Sequence, residues 1–173
     1  LNKPVGVVST AKQQTDEPIV TDLIPEGERV YPVGRLDKES RGLILLTNDG
    51  ELTHRLTHPK YHIPKTYEVT VSGAVTEKKL NILRSGLVLG DKKTLPSDVV
   101  VIDHGEETTL LRMVLYEGRN RQIRRMMPVV DLHVIDLNRV AFGPVKLNNL
   151  ESGKFREALK EEVDLLKQLV RLS

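Results

Sequence analysis

The chain has no cysteine and no tryptophan, and its aromatic side chains amount to four tyrosines and two phenylalanines. The missing cysteines exclude disulfides, thiolate metal sites and a cysteine nucleophile. No apolar run approaches the roughly 20 residues that cross a bilayer, and no charged-then-apolar signal segment opens the sequence. No membrane partner and a cytoplasmic location are therefore expected. Neither a glycine-rich phosphate loop of the Walker type nor a Gly-x-Ser-x-Gly elbow is present, which argues against a nucleotide cofactor and against a serine hydrolase. Scarce aromatics also argue against a module that binds single strands by serial base stacking, which needs several exposed rings.

What is present is ordinary in bulk and unusual in distribution. A chain of 173 residues with 39% hydrophobic and 29% charged side chains suits one domain, or two small lobes sharing a core. The formal net charge of +2 does not by itself point to nucleic acid. The segment Glu117-Gly118-Arg119-Asn120-Arg121-Gln122-Ile123-Arg124-Arg125-Met126-Met127 does, because it carries four arginines within seven residues. Such a cluster is the electrostatic footprint of phosphate binding, and the planar guanidinium can meet two phosphate oxygens or a carboxylate at once. A solvated basic helix face is the plainer alternative.

A second segment, Pro32-Val33-Gly34-Arg35-Leu36-Asp37-Lys38-Glu39-Ser40-Arg41-Gly42, sets one carboxylate, Asp37, between two glycines and two arginines. It runs into Leu43-Ile44-Leu45-Leu46, which reads as a buried strand over Leu43 to Thr47. An ionised carboxylate held at a rigid strand edge can act as nucleophile or base. A surface turn with solvated charges would look the same in isolation.

The remaining elements alternate without a repeat or a low-complexity tract. A short strand or turn opens near Pro4 to Val8, and a polar loop follows through Lys12 to Asp16. Asn48-Asp49-Gly50 leads into a helix from about Glu51 to Thr57, capped by an Asx side chain and ended by His58-Pro59. Lys65 to Val71 alternates with period two and is a strand. A helix starts at Thr76 and stops at Gly86. Val99 to Ile102 and Thr108 to Tyr116 read as strands, 119–127 as a helix ending near Pro128, and Leu132 to Val140 as a strand. Phe155, Ala158, Leu159, Leu166 and Val170 trace an apolar stripe on a C-terminal helix. The sum is α+β, with a largely antiparallel mixed sheet and flanking helices. His54, His58 and His62 recur every four residues, yet Pro59 breaks the helix that would align them, so no metal site is expected.

Three motifs occur in order: Gly34-Arg35-Leu36-Asp37, Lys65-Thr66-Tyr67, and the arginine segment from Gly118 to Met126. Together with Asn2-Lys3-Pro4-Val5-Gly6, Leu43 to Leu52 and Arg139-Val140-Ala141-Phe142-Gly143-Pro144, they resemble the RsuA-type RNA pseudouridine synthases, which modify ribosomal RNA. The resemblance covers Leu1 to about Arg156. Ser40 stands where threonine is common in that family, and Ala141 where arginine is frequent.

This resemblance implies the pseudouridine synthase fold with a central RNA-binding cleft, as one catalytic domain over residues 1–173 with two lobes sharing one sheet. Many members carry a small N-terminal RNA-binding domain that is not within these 173 residues; two readings stay open, a domain that precedes them in a longer protein and a member of the group without one. The implied reaction turns a uridine of ribosomal RNA into pseudouridine without metal or cofactor, with a large-subunit target favoured over a small-subunit one. Asp37 is then the catalytic aspartate, with three routes open to it: attack on the sugar, addition to the base, or removal of a ribose proton. Arg124 would pair with Asp37, Tyr67 would stack on the uracil, and Ile123 would pack beneath the active site. Arg35, Lys65, Arg119, Arg121 and Arg125 would bind RNA. Plainer roles stand beside these: Tyr67 as a packing residue, Arg124 as one more phosphate ligand, Lys65 as an exposed cation. A monomer is expected. A noncatalytic RNA-binding or ribosome-assembly factor on the same fold is the alternative, and the two readings part at Asp37.

Overall fold

The computed structural model describes residues 1–27 and 29–173 and divides them into two compact units. One comprises Leu1–Ile63 and Arg139–Ser173, the other Pro64–Asn138. In chain order the elements are β1 (Asn2–Lys3), β2 (Tyr31–Pro32), β3 (Arg41–Leu43), β4 (Leu46–Thr47) and α1 (Gly50–Thr57). They continue with β5 (Lys65–Ser72), α2 (Glu77–Ser85), β6 (Val88–Leu89), β7 (Lys92–Lys93), β8 (Asp98–His104), β9 (Thr108–Leu115) and α3 (Gln122–Val129). The last are β10 (His133–Phe142), β11 (Val145–Lys146) and α4 (Lys160–Leu169). The class is α+β. Among the described residues no helix is long and apolar enough to cross a membrane.

In the first unit the run Leu43–Thr47 is not one strand. Leu43 pairs with Asn2 of β1, whereas Leu46 and Thr47 pair with Pro32 and Tyr31 of β2. Between them Ile44 donates to the Leu1 carbonyl and the Leu45 carbonyl accepts from Val33. Leu43 and Ile44, neighbours on the chain, are both enclosed because the chain changes partners midway, and Leu45 and Leu46 are half-buried. A period-based reading sees one apolar run and cannot see the switch.

The core of this unit is Val33, Leu43, Leu52, Leu56, Ile63, Phe142, Val145 and Leu147, with Leu166 and Val170 of the C-terminal segment. α1 is capped as its sequence predicts, the Asp49 carboxylate accepting the Leu52 N–H at 2.9 Å. The C-terminal stripe is shorter than its pattern. Leu166 and Val170 are buried, but Phe155, Ala158 and Leu159 precede α4, and Phe155 and Leu159 are exposed. Arg139 is also buried; its Nε donates to the Leu43 carbonyl at 2.8 Å, and its guanidinium lies over the Phe142 ring.

The second unit is built on a sheet in which, of its strands, only β8 and β9 are neighbours in both chain and sheet. β5 pairs antiparallel with β9 and β9 with β8, in the order β10-β5-β9-β8. Alternate residues of β5, Tyr67, Val69 and Val71, point inward, as period two requires. α2 packs on β8, runs from its Thr76 cap, and stops at Gly86. Gly86 has φ +91° and lies so close to Thr94 that a Cβ would clash with that carbonyl.

Candidate active site

The Asp37 loop lacks a ladder of its own and is held by side chains from the N-terminal segment. The buried Ser9 hydroxyl bonds both sides of Leu36, accepting its N–H at 3.0 Å and donating to its carbonyl at 2.7 Å. The Ser40 N–H closes a turn on the Asp37 carbonyl at 3.0 Å, and the Gly6 N–H donates to the Lys38 carbonyl at 2.8 Å. Beneath them lies Lys3, wholly enclosed. Its Nζ donates to the carbonyls of Pro4 and Val7, both at 2.9 Å, and to that of Lys38 at 3.4 Å. Burial pushes the Lys3 ammonium down to about 8, against the opposing pull of the Asp37 and Glu39 charges.

Asp37 itself is half-buried and Arg35 exposed. Arg35 borders a hollow of about 200 Å3 with Ser9, Gln14, Thr15 and Glu17 among its walls. An exposed ion pair between Lys38 and Glu17 ties the far side of the loop to the polar 12–17 segment, and Lys38 holds the Glu17 carboxyl below its usual range. Gly34, at φ +70°, sets the loop against α1: a Cβ there would stand 3.6 Å from Thr57 Cγ2.

In the second unit the register of β5 on β9 sets Lys65 opposite Leu115 and Tyr67 opposite Met113. Tyr67 is buried to 9% exposure. Lys65 is half-buried, and its Nζ lies 3.8 Å from where a Gly118 Cβ would stand. Two motifs distant in sequence, Lys65-Thr66-Tyr67 and the arginine segment, therefore meet within one unit.

The arginine segment is only partly helical. α3 begins at Gln122, with Arg121 in the left-handed region at φ +50° as its N-cap. Arg119 and Arg121 thus lie in the turn before the helix, where their spacing no longer belongs to a helix face. Glu117 organises that turn. Its carboxylate accepts from the Leu95 N–H at 2.8 Å and from Gln122 Nε2 at 2.9 Å, and pairs with Arg119 Nε at 3.3 Å. The Gln122 side-chain oxygen accepts the Arg119 N–H in return. The Arg119 guanidinium donates to the carbonyls of Lys92 and Lys93. Arg121 and Arg125 are exposed and Arg124 is half-buried, while Ile123 is buried with Met126 and Met127.

The four arginines are therefore not equivalent: the Arg119 guanidinium is held on several sides by internal partners, whereas Arg121 and Arg125 are exposed, Arg125 Nη1 donating to the Asn120 carbonyl at 3.3 Å. Lys3, Ser9, Glu117 and Gln122 were missed as contributors by sequence reasoning. Lysine and glutamate are normally surface residues; Lys3 and Gln122 lie inside the motif stretches, which was the signal available, whereas Ser9 and Glu117 lie outside them. Among the described residues no group of three His, Cys, Asp or Glu side chains is placed to hold a metal ion.

Comparison with known proteins is independent of this geometry. A family model described as RNA pseudouridylate synthase matches residues 1–128. The chain is 40% identical over 172 residues to a ribosomal large subunit pseudouridine synthase B of Bacillus subtilis (strain 168), covering 98% of this chain and 70% of that one. It is 39% identical over 170 residues to a ribosomal large subunit pseudouridine synthase E of Vibrio vulnificus, covering 90% and 72%. A crystal structure of a pseudouridylate synthase superposes with a TM-score of 0.88 at 32% identity, over 96% of this chain and 71% of that one.

Proposed function

This chain belongs to the RNA pseudouridylate synthase family, and on that footing we propose that it isomerises a uridine of large-subunit ribosomal RNA to pseudouridine, with Asp37 as the catalytic carboxylate. The observation that carries the assignment of Asp37 is the bracing of its loop. A carboxylate on a segment fixed by the enclosed Lys3 ammonium and the Ser9 hydroxyl is preorganised in a way a solvated surface turn is not. The reaction breaks the bond from ribose C1′ to base N1 and forms one from C1′ to C5. C5 loses a proton and N1 gains one, so no oxidant or co-reactant enters.

In this reading the two units act as one catalytic domain. Tyr67 offers the ring on which the extruded uracil stacks, a contribution of about 1–3 kcal/mol. Arg124 supplies the charge that orients the catalytic carboxylate. Arg35, Lys65, Arg121 and Arg125 hold the phosphates on either side of the target. Arg119, with its internal partners, fixes the turn that presents Arg121 and Arg125.

The test is site-resolved mapping of pseudouridine in ribosomal RNA from cells lacking the protein, complemented with wild type or Asp37→Ala. The expected result is one position lost on deletion, restored by wild type and not by the variant. Restoration by Asp37→Ala would sink the catalytic assignment. An unchanged map with disturbed ribosome assembly would favour a noncatalytic RNA-binding factor.

A further inference from the structure

A second hollow, of about 680 Å3, opens in the first unit beside α1, with His54, Arg55, His58, Lys60, Tyr61 and Arg171 among its walls. Its volume falls within the roughly 300–1,000 Å3 of ligand sites, and none of its side chains has a part in the reaction above. His54 and His58 stand one turn apart, and their rings meet edge to face with centroids 5.8 Å apart. Pro59 ends the helix, and the single turn Pro59–Tyr61 brings Tyr61 to the His58 ring at 6.3 Å, again edge to face. Lys60 Nζ lies 4.9 Å from the Tyr61 ring centroid.

The charges around this hollow have unequal commitments. The acidic residue there, Glu51, pairs with Arg55 Nε at 2.6 Å. Arg55 Nη1 donates to the carbonyls of Val170 and Arg171, at 3.1 and 2.8 Å, where α4 ends. One guanidinium thus offsets both the carboxylate and the negative end of the helix. What remains is positive: Lys60 and Arg171 are exposed, and neither forms an ion pair with a described residue. His58 Nδ1 accepts the Lys60 N–H at 3.2 Å, which leaves the other ring nitrogen to donate.

Two cations without an ion pair, a ring donor and a set of edge-packed rings suit a phosphodiester with its ribose or base. They suit an apolar partner poorly.

We infer that this hollow is a second contact for the RNA substrate, holding the sugar-phosphate backbone at a nucleotide other than the target uridine. Lys60 and Arg171 meet the phosphate, and His58 and Tyr61 lie against ribose or base. The inference rests on the proposed reading of the chain as an RNA-modifying enzyme, and the experiment separates the two.

Large-subunit ribosomal RNA transcribed in vitro is titrated against the full chain carrying Asp37→Ala, with and without Lys60→Gln and Arg171→Gln, from about 50 to 200 mM KCl. The double change is expected to lower affinity at least about tenfold and to reduce the slope of log K against log [KCl] by about 1.4–1.8. Tyr61→Leu lowers affinity without changing the slope. Lys78→Gln with Lys79→Gln, an equal loss of charge on α2, leaves both quantities unchanged. Equal affinity and slope in the Lys60/Arg171 variant would overturn the inference, as would an equal loss in the α2 control. Tritium release from RNA carrying 5-tritiated uridine, measured with intact Asp37, reports the enzymatic reading separately. If wild type releases none, that reading fails while the binding titration still decides the hollow; if it does, the double change raises KM and leaves kcat in place.

Discussion

The two loops that carry the candidate catalytic and RNA-binding groups are built as opposites. In the first unit a loop presenting a carboxylate, Asp37, rests on an enclosed cation, Lys3. In the second a turn presenting arginines rests on a largely sheltered anion, Glu117, whose oxygens meet Leu95, Arg119 and Gln122. Each brace is opposite in sign to the groups displayed above it and fixes the backbone that carries them. The difference lies in how deeply the brace is sunk. Lys3 is wholly enclosed and its charged form suffers for it, whereas the Glu117 side chain keeps 15% exposure and is directly ion-paired. A deep brace carries a desolvation cost in its charged form and gains rigidity; a shallow one does neither to the same extent.

Removing the deep brace should have the larger effect. Lys3→Met strands the Pro4 and Val7 carbonyls and is expected to destabilise the fold by about 1–3 kcal/mol near neutral pH. It should also lower kcat by about 10–10²-fold through misplacement of Asp37. Denaturant unfolding and single-turnover assays read the two separately. The pH dependence gives an independent check. Lys3 loses its proton near 8 in the folded chain and near its ordinary value, about 10.4, when unfolded. Between those values the unfolded chain binds more protons, so stability attributable to Lys3 rises with pH, and below 8 its burden is fully present. Wild type should gain on the order of 2–3 kcal/mol across that window relative to Lys3→Met; parallel pH profiles would contradict the deep-brace account.

Glu117→Gln should act more weakly, by about 1–2 kcal/mol, because glutamine keeps an acceptor for Leu95 and loses the ion pair with Arg119. If the brace matters for display, this variant also weakens RNA binding with little change in kcat. Arg121→Gln and Arg125→Gln should each reduce the salt slope of binding by about 0.7–0.9. Smallest of all is Glu17→Gln, which opens an exposed ion pair with Lys38. Exposed pairs of that kind contribute little, so no change in melting temperature and no change in turnover are expected.

The same contrast marks what the sequence made legible. α1, β5, α2 and the β8–β9 pair followed from caps, period two and stop residues, all local signals. Leu43–Thr47 misled because a change of pairing partner leaves no trace in an apolar run. The arginine helix misled because its first turn is set by Glu117 and Gln122, not by propensity. In the loops the displayed residues, Asp37 and the arginines, stood out by charge density. Their braces did not, since a lysine that will be enclosed and a glutamate that will be sheltered look like surface residues until the chain is folded. His54 and His58 were aligned by spacing and discounted because of Pro59. The fold keeps their ring contact and adds Tyr61 after the break.

The Ser9 hydroxyl, finally, gives a residue in a loop the hydrogen-exchange behaviour of a strand. The Leu36 amide donates to a buried oxygen that belongs to another segment, so its proton can swap with solvent deuterium only when the two segments part. The exchange rate at that single amide is therefore a clock for how often the Asp37 loop comes undone.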